Sequence, residues 1–464
     1  MCNVSLNGTQ PSDASLRVLR ALEAAGLEAW YVGGWVRDAL MGCPSHDVDM
    51  CCSGLWQESK AALEAVGIAV VESGIKFGGI TAISDGERIE VTTYRLDGFY
   101  TDGRHPQSVE RAASLEDDLA RRDFTVNAMA WHPERGLVDR YDGQGDLERK
   151  LIRAVGDPKR RFNEDALRML RAVRFACRLD FMIEPETKHA LAECAPLLDA
   201  VARERVGIEL EGILSTGHGG DAMLRYPELI CAAVPELAAG RGFDQRSVYH
   251  AFNVYEHIAR VLTVAGELAL CDGVAPSSSL MWAAFLHDVS KPECFTVDHA
   301  GSGHFYGHPE LGAKKARVIM DRLALSHDLV RDVCLLIKYH DKPLRPERSC
   351  LLNMMRALSG EGVDTPRLMD ELMDLKRADT LGKAPSCFYY VETIEEMRAM
   401  AHELLEAGEP YTLKMLAING GDLIHAGVKP GPELGQLLNA AFDAVIEDNI
   451  PNDREALLVH LNLN

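Results

Sequence analysis

The N-terminal part of the chain alternates between the hydrophobic periods of helices and strands. Leu16, Leu19 and Leu22 recur at threefold spacing within residues 14–25, which predicts a helix that buries one apolar stripe. The apolar runs that follow are short and bounded by turn residues, as strands are. We predict strands at 29–33, 47–52, 67–72, 79–84 and 87–95, with a helix after Gly34.

Helical patterns take over after a turn-rich segment at 141–147. This change sets the first domain boundary near residue 155. A chain of 464 residues is too long for one hydrophobic core, and typical domain sizes predict roughly three domains. The pattern as a whole predicts an α+β protein whose strands lie in its N-terminal part.

The segment 31–49 combines groups that a magnesium-dependent phosphoryl-transfer site needs. Asp47 and Asp49 project to one face of a predicted strand, where two like charges are unfavourable without a cation between them. The glycine pair at 33–34 lets backbone N–H groups approach a phosphate, which Arg37 can neutralise. A solvated turn that ends in a surface acidic pair is the simpler interpretation of the carboxylates alone.

A third carboxylate lies in the alternating strand 87–95, where Glu90 shares a face with Thr92. If this strand neighbours that of Asp49, Glu90 completes the metal site. A charge at a sheet edge fits the same pattern.

Residues 97–113 contain glycines, a proline and no apolar period, which predicts a long exposed loop. Ser114 follows as the expected cap of a helix, with Asp117 three residues later. The charged residues 121–123 follow that helix, and Asn127 is unusual in the apolar run after them.

Residues 163–179 predict a helix with an arginine series. Arg168, Arg171 and Arg174 recur at steps of three. A solvated basic face would explain them, but an arginine series with few acidic partners is more typical of a surface that binds phosphate or reads a base. The acidic residues at 164–165 favour the predicted helix start.

Histidines cluster in the second half of the chain, and two His-Asp pairs each close an apolar helix. Imidazoles and carboxylates from several helices indicate a transition-metal site. Core histidines that hydrogen-bond to nearby carboxylates are the alternative. The residues are His250, His257, His287, Asp288, His304, His308, His340 and Asp341.

Composition narrows the class of protein. A net charge of −21 argues against a general nucleic-acid coat protein, although residues 149–178 are locally basic. The 12 cysteines are scattered without a C-x-x-C pair, so reduced thiols of a cytosolic protein are expected. The sequence shows neither a secretory signal nor an apolar run of membrane-spanning length.

Several ordered motifs resemble those of the bacterial class II tRNA nucleotidyltransferases, the CCA-adding enzymes of the poly(A) polymerase group in the polymerase-beta superfamily. Each motif alone is common, but the ordered set is highly specific and covers nearly the whole chain. The matching segments are GlyGlyTrpValArgAsp at 33–38, AspValAsp at 47–49, ArgArgAspPheThrValAsnAla at 121–128, AspGlyGlnGlyAspLeu at 142–147, GluAspAlaLeuArg at 164–168 and GluArgValGlyIleGluLeu at 204–210.

The resemblance implies a polymerase-beta-like nucleotidyltransferase head, with a mixed sheet and helices, followed by an all-α neck, an HD phosphohydrolase-like body and a tail. The implied bounds are 12–155 for the head, 156–240 for the neck, 241–375 for the HD domain and 376–464 for the helical tail.

In the head, the resemblance implies that Asp47 and Asp49 bind two catalytic Mg²⁺ ions, with Glu90 as a further catalytic carboxylate. It also implies a set of nucleotide-binding residues around them. These are Gly33, Gly34, Arg37, Arg122, Asp123 and Asn127.

The family's EDxxR motif acts as a protein template for the incoming base. Asp165 and Arg168 are therefore expected to hydrogen-bond the Watson–Crick edge of CTP or ATP, with Glu164 orienting Arg168. Arg171 and Arg174 are expected to line the same pocket.

In the HD half, the resemblance implies the metal ligands His257, His287, Asp288 and Asp341. His308 could serve a second metal, and the divalent ion at this site would be Ni, Mn, Fe or Mg. Ser290 stands where the family usually has a glycine. Phosphohydrolase activity and an inherited structural role are both open.

The implied function is template-independent addition of CCA to the 3′ end of tRNA from CTP and ATP, by two-metal nucleotidyl transfer. The alternatives are an A-adding enzyme, a poly(A) polymerase, a metal-dependent HD phosphohydrolase as a second or main activity, and a non-enzymatic RNA-binding protein. The loop with Arg104, His105 and Pro106 favours full CCA addition over CC addition. We expect tRNA, CTP and ATP as partners, no membrane, no obligate protein partner and a cytoplasmic location.

Overall fold

The computed structural model describes residues 6–43, 45, 47–73, 75, 78–97, 109–271 and 273–463. It divides into two compact units. One consists of residues 1–210 with 226–233, and the other of 211–225 with 234–464. The finer division into head, neck, HD domain and tail stays a prediction. The loop residues 104–106 lie outside the described part of the chain.

Strands lie mainly in the first unit, which confirms the predicted α+β class. The described strands are β1 (Ala29–Val32), β2 (Val48–Cys52), β3 (Ala69–Val71), β4 (Gly79–Ser84), β5 (Glu87–Thr93), β6 (Arg95–Asp97), β7 (Val109–Arg111), β8 (Met129–His132), β9 (Gly136–Asp139), β10 (Leu151–Ile152), β11 (Met182–Ile183), β12 (Thr296–Val297) and β13 (Gly303–His304).

A seven-stranded mixed sheet forms the head, in the order β3-β4-β5-β2-β1-β8-β9. The pairing of β2 with β5 is parallel, and the other pairings in this sheet are antiparallel. All four residues of β1 are buried, as expected for a central strand. Its Tyr31 ring lies 4.6 Å from that of Trp35 and 5.7 Å from that of Trp131, so aromatic packing anchors one face of the sheet.

The described part of the chain up to residue 233 contains eleven α-helices, the first three of which pack against strands of this sheet. They are α1 (Asp13–Ala24), α2 (Gly34–Leu40), α3 (Trp56–Ala65), α4 (Leu115–Ala120), α5 (Gly143–Glu148), α6 (Pro158–Glu164), α7 (Arg168–Leu179), α8 (Pro185–Cys194), α9 (Arg203–Leu214), α10 (Gly219–Arg225) and α11 (Pro227–Ala233).

The second unit is almost wholly helical. Helix α10 belongs to it, and the later helices are α12 (Val254–Cys271), α13 (Ser278–Leu286), α14 (His308–Arg322), α15 (His327–Tyr339), α16 (Arg348–Leu358), α17 (Thr365–Gly382), α18 (Tyr390–Glu406), α19 (Gly420–His425), α20 (Pro432–Ile446) and α21 (Arg454–His460). Helix α13 is apolar on every side and packs against α12, α15 and α17, which makes it the centre of this unit.

The hydrophobic periods located most of the head. The predicted helix at 14–25 and the five predicted strands are all present, within a few residues of the expected bounds. Ser114 caps α4 by accepting a hydrogen bond from the Asp117 N–H, as predicted. Helix α3 was not predicted.

The single helix predicted at 163–179 was wrong. Helix α6 ends at Glu164, and α7 begins only at Arg168. Between them Asp165 is extended, with φ −145° and ψ 104°. Its carboxylate accepts from the backbone N–H of Leu167, a local bond of the kind with which aspartate competes against helical structure.

No described helix is long and apolar enough to cross a membrane. Every cysteine in the described part of the chain is a free thiol.

The turn at 142–147 holds the chain just after the ArgArgAsp motif through Thr125. The Asp139 carboxylate accepts from the N–H groups of Gly143 and Gln144 at the start of α5. The buried Asp146 accepts from Thr125 Oγ1 at 2.6 Å and pairs with Arg153. These bonds hold residue 125, two positions after the motif, against α5.

We expect Gly143→Ala to destabilise the head. A methyl group at this position would lie 2.5 Å from the carbonyl oxygen of Thr125, so the backbone must shift at a cost of about 1–3 kcal/mol. The midpoint of urea unfolding should fall. The neighbouring substitution Gln144→Ala removes only exposed atoms and is the matched control; equal midpoints for the two variants would contradict the prediction.

Candidate active site and histidine cluster

Two glycines turn the chain from β1 into α2 at the edge of the predicted site. Gly33 adopts φ 67° and ψ −130°, a conformation that L side chains rarely adopt. A Cβ atom there would also lie 3.1 Å from Arg122 Nη1 and 3.6 Å from Asp49 Oδ2. The glycine therefore lets backbone, guanidinium and carboxylate approach one another.

The parallel pairing of β2 and β5 brings Asp49 and Glu90 side by side, because they are register partners. Asp47 directly precedes β2 and is exposed. Burial raises the pKa of Asp49 to about 6, and the charges of Glu90 and Asp47 add to that increase. These three carboxylates repel one another, and a divalent cation would remove the repulsion.

The negative charge of these carboxylates and their oxygen donors fit a bound Mg²⁺ ion. Carboxylate oxygens are the ligands that Mg²⁺ prefers. Among the described residues, two groups of three ligand side chains have donor atoms within 4.8 Å of one another, and both lie in the histidine cluster of the second unit. The head carboxylates are thus sheet neighbours that do not converge to that distance.

Arg37 lies buried on α2 and is held from two sides. Its Nη1 donates to Asn127 Oδ1 at 2.8 Å, and its Nε donates to Asp38 Oδ1 at 2.8 Å. The guanidinium also stacks over the Phe175 ring, 5.4 Å from its centroid. A cation fixed in this way is preorganised for phosphate.

A single buried carboxylate holds both arginines of the ArgArgAsp motif. Asp118 Oδ1 accepts from Arg121 at 2.7 Å, and its Oδ2 accepts from Arg122 at 3.0 Å. Burial raises the pKa of Asp118, but the two guanidinium groups overcome this and hold it below its usual value. Asp118 therefore stays ionised and orients Arg122 toward Gly33.

Asp123 and Asn127, both predicted to bind nucleotide, lie inside the same network. Arg171 donates to Asp123 Oδ2 through Nε at 2.9 Å and Nη2 at 2.7 Å. The amide nitrogen of Asn127 donates to Asp123 Oδ1 at 3.3 Å. In this structure both residues thus position arginines, and their contact with nucleotide stays a prediction.

The break between α6 and α7 presents the two predicted template residues. Asp165 Oδ2 accepts from Arg205 Nη2 at 3.0 Å. Arg168 donates from Nη1 to Glu164 Oε2 at 2.9 Å and from Nη2 to the carbonyl oxygen of Arg121 at 3.0 Å. Glu164 therefore holds one side of the Arg168 guanidinium, and the carbonyl of Arg121 joins α7 to the head motif.

Two supporting residues were missed from the sequence. Arg205 holds Asp165, and the buried Glu209 accepts from Arg174 Nε at 2.7 Å. They are four residues apart on α9, so they share one face of that helix. Both lie in the motif at 204–210, whose spacing could have identified them.

In the second unit, four of the predicted histidines meet around one aspartate. His257 and His287 face Asp288 Oδ2 at 3.3 and 3.2 Å, with all three residues buried. His308 and His340 lie on the other side of Asp288. His257, His287 and Asp288 are three of the four predicted ligands, and the structure brings them together.

Asp379 occupies the place that was expected for Asp341. Its Oδ1 lies 3.1 Å from His257 Nε2, whereas Asp341 is exposed and lines the cavity beside the cluster. Asp379 lies on α17 without a neighbouring histidine in the sequence, so local pattern gave no signal for it. Lys291 pairs with Asp288, and Lys383 pairs with Asp379, each at 2.6 Å.

Successive segments of the chain match models of known protein families. Four family models match: the Poly A polymerase head domain over residues 29–153, the probable RNA and SrmB-binding site of polymerase A over 180–239, the HD domain over 254–383, and the putative tRNA nucleotidyltransferase domain 2 over 386–461.

Whole-length relatives agree with these models. The CCA-adding enzyme of Streptococcus mutans is 32% identical over 447 residues, which cover 96% of this chain and 95% of the relative. That of Limosilactobacillus fermentum is 32% identical over 456 residues, covering 95% and 94%. The crystal structure of the Bacillus stearothermophilus CCA-adding enzyme in complex with CTP is similar with a TM-score of 0.71 at 25% identity, and 98% of each chain is covered. The chain therefore belongs to the CCA-adding enzymes, a family of tRNA nucleotidyltransferases.

Proposed function

We propose that this protein adds CCA to the 3′ end of tRNA from CTP and ATP, with the base selected by side chains rather than by a nucleic-acid template. The observation that carries the proposal is the interrupted helix, which presents Asp165 and Arg168 beside the arginines of the head. The relatives are named CCA-adding enzymes, so an A-adding enzyme or a poly(A) polymerase is not favoured.

We propose Mg²⁺ as the cofactor of the transfer. Asp47 and Asp49 would hold it, with Glu90 as the adjacent carboxylate. Bound Mg²⁺ supplies charge for activating the tRNA 3′-hydroxyl and for stabilising the pyrophosphate that leaves. Without it, positive charge near Asp49 comes from Arg122 and Arg37, which lower its pKa against the effect of burial and of Glu90.

The triphosphate would lie against the turn at Gly33 and Gly34. Arg37 and Arg122 are the cations nearest to this turn, and each is fixed by an acceptor behind it, Asn127 and Asp118 respectively. Fixed donors need no rearrangement when negative charge develops on the phosphates, which is how such sites stabilise a transition state.

Base selection would use the two template residues. Cytosine and adenine each present an exocyclic amine donor and a ring nitrogen acceptor, whereas uracil and guanine present the opposite order. A carboxylate beside a guanidinium matches the first pair, with Asp165 accepting and Arg168 donating. Each Asp165 oxygen has a second lone pair beyond the bonds to Leu167 and Arg205, so these bonds leave it able to accept.

The substrates of this reaction also suggest where it takes place. tRNA, CTP and ATP meet in the cytoplasm, and we propose that location for the protein.

Asp47→Ala should abolish nucleotide transfer, because it removes a metal ligand at the reacting phosphate. We expect kcat to fall by about a thousandfold or more, since metal stabilisation of transition-state charge is worth several kcal/mol. The assay incubates tRNA lacking its last three nucleotides with labelled CTP and ATP, separately and together. Glu64→Ala, an exposed carboxylate on α3, is the control; retained transfer by Asp47→Ala would refute the site.

Arg168→Ala should relax the choice of CTP and ATP over UTP and GTP. An unsatisfied group in the mispaired complex costs about 1–3 kcal/mol, so discrimination should fall by about 5- to 150-fold. Arg178→Ala, at the exposed end of the same helix, should leave it unchanged. An unaltered preference in Arg168→Ala would remove the template role.

Asp49→Asn should raise the stability of the metal-free protein above pH 6 while abolishing transfer. Folding raises the Asp49 pKa from 3.8 to about 6. The free energy of unfolding of the parent therefore falls as pH rises from 3.8 to about 6, because Asp49 must ionise at an unfavourable position in the folded state. At pH 8 the difference amounts to about 3 kcal/mol. Thermal unfolding in EDTA should show the gap between variant and parent opening from pH 4 to 6; a gap that is absent at pH 8 would contradict the assignment.

A further inference from the structure

A cavity of about 350 Å³ opens on the head sheet beside Glu90. Its volume lies at the lower end of the range of small-ligand pockets, so it can hold one nucleoside. The side of the sheet on which it opens is that of the metal-binding carboxylates. The polar residues and the glycine that line it are Ser73, Gly79, Thr81, Glu90, Thr92 and Arg95.

The register of the sheet explains where this cavity lies. Asp49, Glu90 and Thr81 are partners across β2, β5 and β4, so their side chains form one row on one face. In the next row of that face, Thr92 is paired with Gly79. Because Gly79 has no side chain, the surface of the sheet is open beside Thr92.

The carboxylates separate this cavity from the glycine turn. At the Asp49 end of the row, a Cβ atom on Gly33 would lie 3.6 Å from Asp49 Oδ2. At the other end, beyond Glu90, Thr81 lines the cavity. The order across the sheet is therefore glycine turn, Asp49, Glu90 and cavity.

This order suits an in-line displacement, given the proposed function. With the triphosphate against the turn at Gly33, pyrophosphate leaves toward that turn. The tRNA 3′-oxygen bonds to the α-phosphorus as the bond to pyrophosphate breaks, and the hydroxyl proton passes to water. Since the entering and leaving oxygens lie in line, the 3′-hydroxyl approaches from the side opposite the turn, where the cavity lies.

The cavity also carries groups that can bind a ribose. The hydroxyls of Ser73 and Thr81 share a hydrogen bond. One of their two protons joins them, and the other remains for a ligand. Thr92 Oγ1 donates to the carbonyl oxygen of Met50 at 3.2 Å, so this hydroxyl is left to accept. A ribose 2′-hydroxyl is both donor and acceptor, which matches this lining.

We propose that this cavity holds the 3′-terminal nucleotide of the tRNA. Its 3′-hydroxyl lies at Glu90, and its 2′-hydroxyl bonds to the hydroxyl pair of Ser73 and Thr81. Arg95 lines the same cavity and supplies a cation for the phosphate of that nucleotide. The site thus positions the acceptor end and distinguishes an RNA end from a DNA end, since the 2′-hydroxyl is the group that differs.

The test compares two tRNAs that lack the last three nucleotides, one ending in a ribose and the other in a 2′-deoxyribose. Incorporation of labelled CTP gives kcat/KM for each tRNA, and the ratio is the preference for ribose. The double variant Ser73→Ala/Thr81→Val removes both hydroxyls and keeps the shape of Thr81. We expect its preference to fall by about fivefold or more, because the parent leaves a hydroxyl unsatisfied beside the deoxyribose. Its KM for CTP should equal that of the parent.

Two controls separate recognition from stability. Thr93→Val removes a buried hydroxyl from the opposite face of β5, one without a hydrogen-bond partner among the described residues, and should keep the parent's preference. Thr81→Ser retains the hydroxyl and should also keep it. An unaltered preference in the double variant, with C addition retained, overturns the ribose site and leaves the proposed function standing. A parent that adds C to neither tRNA overturns both.

Arg95→Gln tests the phosphate contact separately. The KM for tRNA should rise by about fivefold, the worth of one charge-assisted hydrogen bond, and should depend less steeply on salt. The KM for CTP should not change, because the triphosphate lies on the other side of the carboxylates. An unchanged KM for tRNA overturns the contact of Arg95 with the terminal phosphate.

Discussion

The parallel pairing of β2 with β5 is the constraint on which the head depends. It sets Asp49 beside Glu90 at a partly buried position, where burial and like charge together raise the Asp49 pKa to about 6. A sheet that only had to be stable would not place two carboxylates there. Two arginines held in place nearby offset the negative charge of these carboxylates. Arg122 follows α4, and Arg37 lies on α2.

The arginines themselves are held by acceptors buried behind them. Each acceptor takes a hydrogen bond from a guanidinium: Asp118 from Arg122, Asp123 from Arg171 and Asn127 from Arg37. Removing one acceptor would leave a buried cation without its partner, which costs more than a surface ion pair contributes. In the proposed function the ArgArgAsp motif supplies a phosphate ligand, Arg122, and its Asp123 supports another arginine, Arg171. Spacing alone cannot separate the two roles.

The sequence predicted what depends on local pattern and missed what depends on distant contacts. The strands and α1 follow hydrophobic periods. The pairing of Asp49 with Glu90 depends on β2 lying beside β5, which the sequence offered only as a condition. The break at Asp165 could not be predicted, because residues on both sides of it have helical patterns and the extended conformation is stabilised by Leu167 and, from α9, by Arg205. Asp379 was missed for the same reason, since its role depends on α17 packing against α12.

On the proposed function, the break at Asp165 explains how the protein selects a base. A continuous helix would engage the backbone of residue 165 in its own hydrogen bonds and fan its side chain away from Arg168 by about 60°, since three residues turn 300°. The extended residue instead frees the carboxylate to be set by Leu167 and Arg205, while Arg168 is set by Glu164 and the carbonyl of Arg121. Asp165 and Arg168 are then both held by protein neighbours before any substrate binds. A donor–acceptor pair fixed in this way rejects the wrong base by leaving a buried group unsatisfied, and that penalty exists only if neither side chain can turn to follow the base.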